Sequence, residues 1–495
     1  MLRKIRITLA TVMLSGLTLF FLDFTGTLHH LVGWMPRLQA LEAVMATNVG
    51  VIAGLLVLTL LLGRIYCSII CPLGVMQDVF GWLGKRSKKR RYGFSREMKW
   101  LRYPVLLLFI VAVVTGVGTL VQLLAPYSAY GRIVTNIFQP LWMMANNALA
   151  DVAEHYDSYA FYHTDVWVRA LPSLVIAVVS LIVLAILAWR GGRTYCNTIC
   201  PVGTALSLVS RYSAMKIRID PEKCRECSLC TKNCKAACID YKNHTVDYSR
   251  CVVCGDCIDV CRHDALHYDN AFFMKRGTGT GSKVTGTDKS KRSFLMSAVM
   301  LATAGLAQEA KKTDGGLAEI EDKKAPRRNT QLTPPGSRSA RNLATKCTGC
   351  QLCISECPNE VLRPSGDFMH LMQPTMSYER GYCRPECNRC SQVCPAGAIL
   401  PLEKEEKVST QIGHAVWVKE NCVVLTDGVR CGNCARHCPV GAIEMVPSIP
   451  GDDTSLKVPA VNEERCIGCG ACEYLCPARP FSAIYVEGHE LHKEV

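Results

Sequence analysis

Twenty-four of the 29 cysteines in this 495-residue chain fall into six groups of four, and every group closes with the spacing C-x2-C-x3-C. The groups are Cys224, Cys227, Cys230 and Cys234; Cys251, Cys254, Cys257 and Cys261; Cys347, Cys350, Cys353 and Cys357; Cys383, Cys387, Cys390 and Cys394; Cys422, Cys431, Cys434 and Cys438; and Cys466, Cys469, Cys472 and Cys476. Three thiols on a tight loop and a fourth from elsewhere are the ligands that a cubane [4Fe-4S] cluster requires. The spacing therefore predicts six [4Fe-4S] clusters, with these cysteines as iron ligands.

Zinc is the main alternative, because four cysteines can also hold one zinc ion. A zinc site of that kind typically has two C-x2-C pairs separated by a long spacer. Six groups that share one closing pattern, four of them followed by proline, fit zinc poorly. The sequence favours iron.

The fourth cysteine of each motif in a two-cluster ferredoxin binds the cluster of the other motif. For the first two groups, this exchange predicts one cluster on Cys224, Cys227, Cys230 and Cys261 and another on Cys251, Cys254, Cys257 and Cys234. Cys238 leaves an alternative to Cys234 open, although the spacing favours Cys234. The last four groups fit either first-with-second or first-with-fourth pairing. Apolar segments after several groups, at 397–400, 441–443 and 482–486, predict the short strands of an α+β ferredoxin-like fold.

A second cysteine pattern occurs twice, with an offset of 129 residues. Residues 63–74 read Gly-Arg-Ile-Tyr-Cys-Ser-Ile-Ile-Cys-Pro-Leu-Gly, and residues 192–203 match them at eight of twelve positions. Cysteines four positions apart share one face of a helix. Candidate redox thiols are therefore Cys67, Cys71, Cys196 and Cys200, which either converge as one redox or metal site or form two separate pairs that shape the turns.

Four apolar runs, at about 1–22, 44–63, 103–124 and 171–189, each approach the ~20 residues that a membrane-spanning helix needs. Basic residues are concentrated after the second run, and the positive-inside rule then places both thiol motifs in the cytoplasm. We expect an all-α four-helix membrane domain over 1–210 and a cytoplasmic two-cluster module over 211–275. The net charge of +14 reflects these basic loops, and no motif indicates a nucleic-acid partner.

Residues 276–342 predict a polar linker that carries an export-signal-like segment at 290–307. The segment begins Ser-Lys-Arg-Ser and continues into a short apolar stretch, which resembles a twin-arginine signal with lysine in place of the first arginine. The alternative is a short helix packed on a neighbouring domain. Export would place the four-cluster domain at 343–495 in the periplasm. With the four predicted membrane helices, the chain is then expected to be a multi-pass inner-membrane protein.

Other redox cofactors are not indicated. The sequence has no C-x-x-C-H motif for attached haem, and the four apolar runs contain no histidine for a b-type haem. It also has no Walker loop, dinucleotide fingerprint or flavin motif, so a nucleotide is not the expected electron source.

The first ~270 residues resemble NapH, the membrane quinol-dehydrogenase component of periplasmic nitrate reductase systems, through the apolar runs, the two C-x3-C-P motifs and the two-cluster module. Residues from about 290 resemble NapG, an exported four-cluster ferredoxin, through the signal-like segment and the widened group that starts at Cys422. The resemblance to a NapH–NapG fusion implies quinol as substrate, the membrane quinone pool and lipid bilayer as surroundings, and a periplasmic reductase or cytochrome as electron acceptor.

Two other functions stay open from the sequence. Membrane ferredoxins with C-x3-C-P motifs also resemble assembly, maturation or regulatory factors, which would supply electrons for inserting a metal centre into a reductase. A chain with every domain in the cytoplasm would instead be a ferredoxin-coupled oxidoreductase.

Overall fold

The computed structural model describes residues 2–23, 25–86, 92–270 and 321–494. The export-signal-like segment at 290–307 lies outside these residues, as does the linker from 276 to 320.

The described residues between 2 and 210 form helices joined by loops. These are α1 Leu2–Leu22, α2 His29–Val32, α3 Ala40–Met45, α4 Val49–Leu62, α5 Tyr66–Ile69, α6 Pro72–Arg86, α7 Lys99–Thr115, α8 Gly118–Leu124, α9 Pro126–Ile133, α10 Gln139–His155, α11 Leu171–Gly191, α12 Thr194–Thr198 and α13 Pro201–Ser210. We refer to this part as the helical domain. It contains no strand among its described residues.

Two of the described helices, α1 and α11, are long and apolar enough to cross a membrane. The second and third predicted runs are each interrupted. Asn48 caps α4 by accepting a hydrogen bond from the Val51 N–H (3.3 Å), which leaves that helix 14 residues long. Gly116 has φ +75° and ends α7 after 17 residues. Both helices are therefore shorter than the sequence predicts.

The helical domain exposes many apolar side chains and buries several charged ones. Large apolar side chains are exposed along its long helices, among them Leu107 (64% exposed) and Val114 (81%) on α7. Four arginines, by contrast, are fully buried: Arg64, Arg102, Arg132 and Arg193. Exposing extended apolar patches to water is unfavourable, so a surface of this kind is typical of a region that contacts a membrane or another protein.

The remaining elements are short. The helices are α14 Leu229–Asn233, α15 Asp256–Asp259, α16 Ala340–Lys346, α17 Leu352–Ser355, α18 Arg389–Val393, α19 Lys404–Ser409, α20 Val423–Thr426, α21 Asn433–Arg436 and α22 Ala471–Leu475. The strands are β1 Met215–Ile219, β2 Ile239–Asp240, β3 Thr245–Val246, β4 Leu266–Asn270, β5 Leu362–Pro364, β6 Pro374–Met376, β7 Thr410–Trp417, β8 Ile443–Pro447, β9 Lys457–Val461 and β10 Ile484–Glu494.

The described strands form antiparallel pairs: β1 with β4, β2 with β3, β5 with β6, β7 with β10, and β8 with β9. In the first module, β1 and β4 bracket both cysteine groups, with Ile217 opposite Tyr268. The strands predicted near 443 and 484 are present as β8 and β10. The one predicted at 397–400 is wrong, because that segment is held by a single backbone hydrogen bond from Leu400 to Gly336 (2.9 Å) and not by a partner strand.

One hydrophobic core runs through the helical domain and into both cysteine-rich regions. It includes Leu17 and Tyr127 of the helical domain, Cys254 of the first module, and Leu352 and Ile412 of the C-terminal region. A second core lies under the last two cysteine groups, around Ala415, Ile443 and Ile484. The modules are thus packed directly on the helices.

Candidate metal centres

The first module exchanges its fourth cysteines in the way that the sequence predicts. Cys224, Cys227, Cys230 and Cys261 line a common cavity, which we call site I. Burial and the neighbouring thiols of Cys254, Cys234 and Cys251 raise the pKa of Cys257 well above its ordinary value. These four thiols form site II.

Cys238 lies beside site II. Its Sγ is 3.5 Å from that of Cys234, and both residues are buried. Both thiols lie near other cysteines of site II: Cys234 is close to Cys254 and Cys257, and Cys238 is close to Cys251. The structure thus places both at site II, and the prediction of Cys234 as the ligand still depends on the sequence spacing.

The C-terminal region brings its groups together as first with second and third with fourth. Burial raises the pKa of Cys347, Cys350 and Cys353, and the nearby Cys394 thiol adds to the rise in each, which groups these four cysteines as site III. Site IV is the cavity lined by Cys357, Cys383, Cys387 and Cys390. Site V joins Cys438 to Cys466, Cys469 and Cys472. Site VI joins Cys476 to Cys434 and Cys431, with Cys422 in the same buried cluster.

Four of the groups share one backbone feature that directs their thiols inward. In each, the residue after the second cysteine has a left-handed backbone conformation and caps the start of a short helix. These residues are Ser228 (φ +63°), Gly255 (+75°), Gln351 (+64°) and Gly470 (+80°). The two groups with a longer first gap have Asn388 (φ −124°) and Gly432 (φ −165°) there instead. The change in spacing therefore changes the local turn.

Backbone N–H groups point at several of the sulfurs. Ala265 donates to Cys261 (3.3 Å), Gly349 to Cys347 (3.4 Å), Ala442 to Cys438 (3.2 Å) and Ala483 to Cys476 (3.3 Å). Hydrogen bonds to the charged form favour ionisation. The donor set thus suits thiolates that bind iron.

The two copies of the C-x3-C-P motif form one symmetric arrangement, which we call the thiol site. Cys67, Cys71, Cys196 and Cys200 are each no more than 4% exposed. Cys71 lies close enough to Cys67 and Cys196, and Cys200 close enough to all three, for a charge on one thiol to affect the others. Pro72 and Pro201 are the first residues of α6 and α13, as the sequence predicts.

Each repeat holds the other through its arginine. Arg193 donates to the carbonyl of Cys67, and Arg64 donates to the carbonyl of Cys196 (3.4 Å). Arg64 also approaches Cys67 Sγ (3.7 Å) and so contacts both repeats with one side chain. The repeats are therefore interlocked rather than separate.

A glycine in each repeat permits this close packing. A Cβ on Gly74 would lie 2.4 Å from Cys67 O, and one on Gly203 would lie 2.5 Å from Cys196 O. Neither position can hold a larger residue without moving the backbone.

A buried ion network joins the thiol site to site II. Asp78 on α6 binds Arg193 through both carboxylate oxygens (2.7 and 2.8 Å) and also pairs with Arg6 (3.0 Å) and Lys235 (2.8 Å). Lys235 directly follows Cys234 of site II. The repeat gives no signal for Asp78 in the sequence, because the equivalent position of the second repeat is Ser207.

The thiol site lies next to site II, because the N–H of Arg193 donates to Lys235 O (2.8 Å). Site III packs on a different part of the helical domain. Gly131 of α9 packs so closely on site III that a Cβ would lie 2.2 Å from Cys350 O.

Polar contacts fix site III on the helical domain. Gln351 donates to Ser173 Oγ (2.7 Å) and accepts from Asn136 (2.7 Å), and Ser128 donates to Thr348 O (2.5 Å). Each of these C-terminal residues lies between Cys347 and Cys353, so the loop of site III itself forms the contact.

Comparisons with known families agree with the cysteine sites. A 4Fe-4S dicluster domain family matches residues 346–398 and 429–479, and 4Fe-4S binding domain families match 244–267 and the two repeats at 45–91 and 171–220. The fold and the cysteine sites thus define an iron–sulfur protein of the ferredoxin type.

Similar proteins of known family identify the branch of ferredoxin-type proteins to which the chain is related. The methylamine utilization ferredoxin-type protein MauM of Methylobacillus flagellatus is 29% identical over 209 residues, which cover 41% of this chain and 87% of that protein. The ferredoxin-type protein NapG of Escherichia coli is 30% identical over 179 residues, covering 33% of this chain and 77% of that protein. NapF of the same organism is 29% identical over 160 residues, covering 32% and 87%. The chain belongs to the family of ferredoxin-type iron–sulfur electron-transfer proteins that includes NapG and MauM.

Proposed function

We propose that this protein is a membrane-bound conduit that takes electrons from quinol and passes them through [4Fe-4S] clusters to a periplasmic reductase. In this proposal, the helical domain and first module correspond to NapH and the C-terminal region corresponds to NapG. The observation that carries the proposal is that cysteine sites pack on the helical domain from two directions, sites I and II in the first module and site III in the C-terminal region.

Neighbouring cysteine sites lie in contact within the first module and within the C-terminal region. Cys257 of site II interacts electrostatically with Cys230 of site I. Cys357 and Cys394 are exchanged between sites III and IV, and the N–H of Cys383 in site IV donates to Cys469 O in site V (2.9 Å). Each site that binds a cluster would thus have a neighbour to which it can pass one electron.

The polarity of the helical domain supports a membrane location. Many of its apolar side chains face outward, and Asp78 pairs with the buried Arg6 and Arg193, as expected for a protein surrounded by hydrocarbon. The helices α4 and α7 are then the second and third spans of a four-helix domain, with α3 and α8 continuing their apolar runs.

The two ends of α1 support cluster modules on opposite membrane faces. Arg3 near its start pairs with Asp259 of the first module (3.0 Å). Phe21 near its end lies 3.0 Å from the position a Cβ of Gly131 would take, beside site III. A helix of this length spans about 30 Å, the thickness of the hydrocarbon core. This arrangement agrees with a cytoplasmic first module and a periplasmic C-terminal region.

Quinol oxidation releases two electrons and two protons, whereas a [4Fe-4S] cluster accepts one electron. Several clusters in series let the first electron move on before the second arrives, and the protons are released to the solvent. The acceptor must then take electrons one at a time from the C-terminal sites.

The experiment is to add a quinol analogue to membranes that contain the protein and to follow the cluster absorbance. Bleaching that depends on the quinol supports the conduit. A protein whose clusters are reduced by dithionite but by no quinol would refute the quinol donor.

A further inference from the structure

We infer that Lys407 is a positioning residue of site IV, whose buried ammonium closes the widened cysteine loop and raises the reduction potential of the cluster held there. Lys407 lies outside residues 346–398, the part of this region that the dicluster family matches. The consequence for electron flow rests on the proposed conduit, whereas the potential itself does not depend on the electron donor.

The Lys407 side chain is buried without a carboxylate partner. It is 6% exposed, although lysine is almost never buried unless it is paired. In the part of the chain that the structure describes, its ammonium forms no ion pair and instead donates to the backbone carbonyls of Arg384 and Cys387 (2.5 Å each). Lys404, on the same helix α19, is exposed. The helix therefore directs one lysine into site IV and the other to solvent.

Both acceptor carbonyls belong to the widened part of the cysteine group. The first gap of this group, from Cys383 to Cys387, has three residues where four other groups have two. Those four groups turn through a left-handed residue after their second cysteine, whereas Asn388 has φ −124° at this position. Lys407 binds the carbonyl that follows Cys383 and the carbonyl of Cys387 itself. A single ammonium thus holds both ends of the longer loop.

The segment that carries Lys407 is fixed to site IV. Asn388 donates to Leu402 O (2.9 Å), and the Leu402 N–H donates to Ser391 Oγ on α18 (3.3 Å). A capping box at Glu403 then starts α19, and the Lys407 N–H donates to Glu403 O (3.0 Å). A lysine on a flexible segment would extend its ammonium into water. These contacts hold it inside.

The Lys407 charge lies beside iron ligands of site IV. Burial raises the pKa of Cys383 and Cys390, and the nearby Lys407 opposes this rise by favouring the ionised thiols. Four thiolates around an iron–sulfur core carry net negative charge, which increases on reduction. A fixed cation beside them therefore favours the reduced form, and net charge is one of the factors that set the potential of such clusters. Because Lys407 is buried, solvent screens its charge only weakly.

The position of site IV gives this effect a role in the proposed conduit. The ligand beside Lys407, Cys383, is also the one that contacts site V, where its N–H donates to Cys469 O (2.9 Å). A raised potential favours the transfer of one electron from site III, which is oxidised, to site IV, which is reduced. No proton moves and no covalent bond changes in this step. Site IV then holds the electron next to site V.

The test is a potentiometric titration of the full-length protein, purified without oxygen in detergent and reduced with dithionite. Electron paramagnetic resonance reports each cluster, and the signal of site IV is identified by its change in Cys383→Ser. Lys407→Met removes the charge and the donors, whereas Lys407→Gln removes the charge and keeps two N–H donors. The matched control is Lys404→Met, which removes an exposed lysine from the same helix.

We expect both Lys407 variants to shift the reduction equilibrium of site IV at least about tenfold towards the oxidised form, which is about 59 mV for one electron. Lys404→Met should leave the potential unchanged. An unchanged potential in a Lys407 variant that keeps its cluster, or an equal shift in Lys404→Met, would overturn the inference. Loss of about four irons from both Lys407 variants would also overturn it, because the lysine would then serve only assembly. Dithionite replaces quinol, so failure of the quinol donor would not affect the result.

Discussion

Replacing Asp78 by asparagine should loosen the first module from the helical domain. After the change, Lys235 keeps Asp256 (3.2 Å), and Arg6 keeps a longer contact with the same residue (3.9 Å). Arg193 loses its only carboxylate partner among the described residues while it stays fully buried. Of the three cations around Asp78, only Arg193 is left without a counter-ion. One uncompensated buried charge costs about 3–5 kcal/mol, which is the expected destabilisation of the closed arrangement.

The assay is bleaching of the site II cluster by an iron chelator, in conditions where transient opening of the module limits access. An opening equilibrium shifted by 3–5 kcal/mol speeds bleaching by roughly 150- to 5,000-fold. The matched control is Asp259→Asn, which removes a partly exposed pair with Arg3 at the same interface (side chains 45% and 36% exposed). A pair of that kind is worth at most about 1 kcal/mol, or roughly fivefold. Equal bleaching rates for the two variants would refute the assigned role of Asp78.

Three further predictions concern single positions. Gly203→Ala places a Cβ 2.5 Å from Cys196 O and should lower the free energy of unfolding by about 1–3 kcal/mol. The control Gly54→Ala on α4 meets nothing within 4 Å and should be neutral or stabilising. The two variants are compared by the thermal loss of cluster absorbance, and equal losses would contradict the close packing at Gly203. Cys234→Ser should remove about four irons and Cys238→Ser none, by iron analysis; the reverse result would make Cys238 the ligand. Burial, and then the nearby His489, lowers the pKa of His492 to about 4. The free energy of unfolding of the C-terminal region should therefore fall by about 3 kcal/mol as the pH falls from 6.5 to 4. Denaturation of His492→Gln should lack this pH dependence, and a dependence that persists would contradict the role given to His492.

The cysteine groups can be recognised in the sequence because cluster binding dictates local spacing, and the 4Fe-4S family matches support iron–sulfur clusters as the cofactor. The sequence also predicts the exchange in the first module and the helix starts at Pro72 and Pro201. It leaves the pairing of the last four groups open, since similar intervals between motifs do not fix which loops meet in space. The contact between Cys383 and Cys469 belongs to tertiary packing and leaves no mark in the spacing.

The errors have local causes. An apolar run predicts one long helix, but Asn48 and Gly116 start and end helices within such runs. The segment at 397–400 is apolar because it packs in the core, where Ile399 is 1% exposed, and not because it forms a strand. The sequence leaves open whether the C-x3-C-P thiols form one centre or two separate pairs. The hydrogen bonds of Arg64 and Arg193 to the opposite repeat bear on this question, and neither repeat alone reveals them.

The central claim is electron flow from quinol in the membrane to the C-terminal sites. The most direct measurement incorporates the purified protein in liposomes with a quinol analogue and adds a membrane-impermeant one-electron acceptor to the side that exposes the C-terminal region. The account predicts quinol-dependent reduction of the acceptor, lost when Cys383 of site IV is replaced by serine. Reduction that is equally fast from the side of the first module, or that survives the loss of site IV, would contradict it.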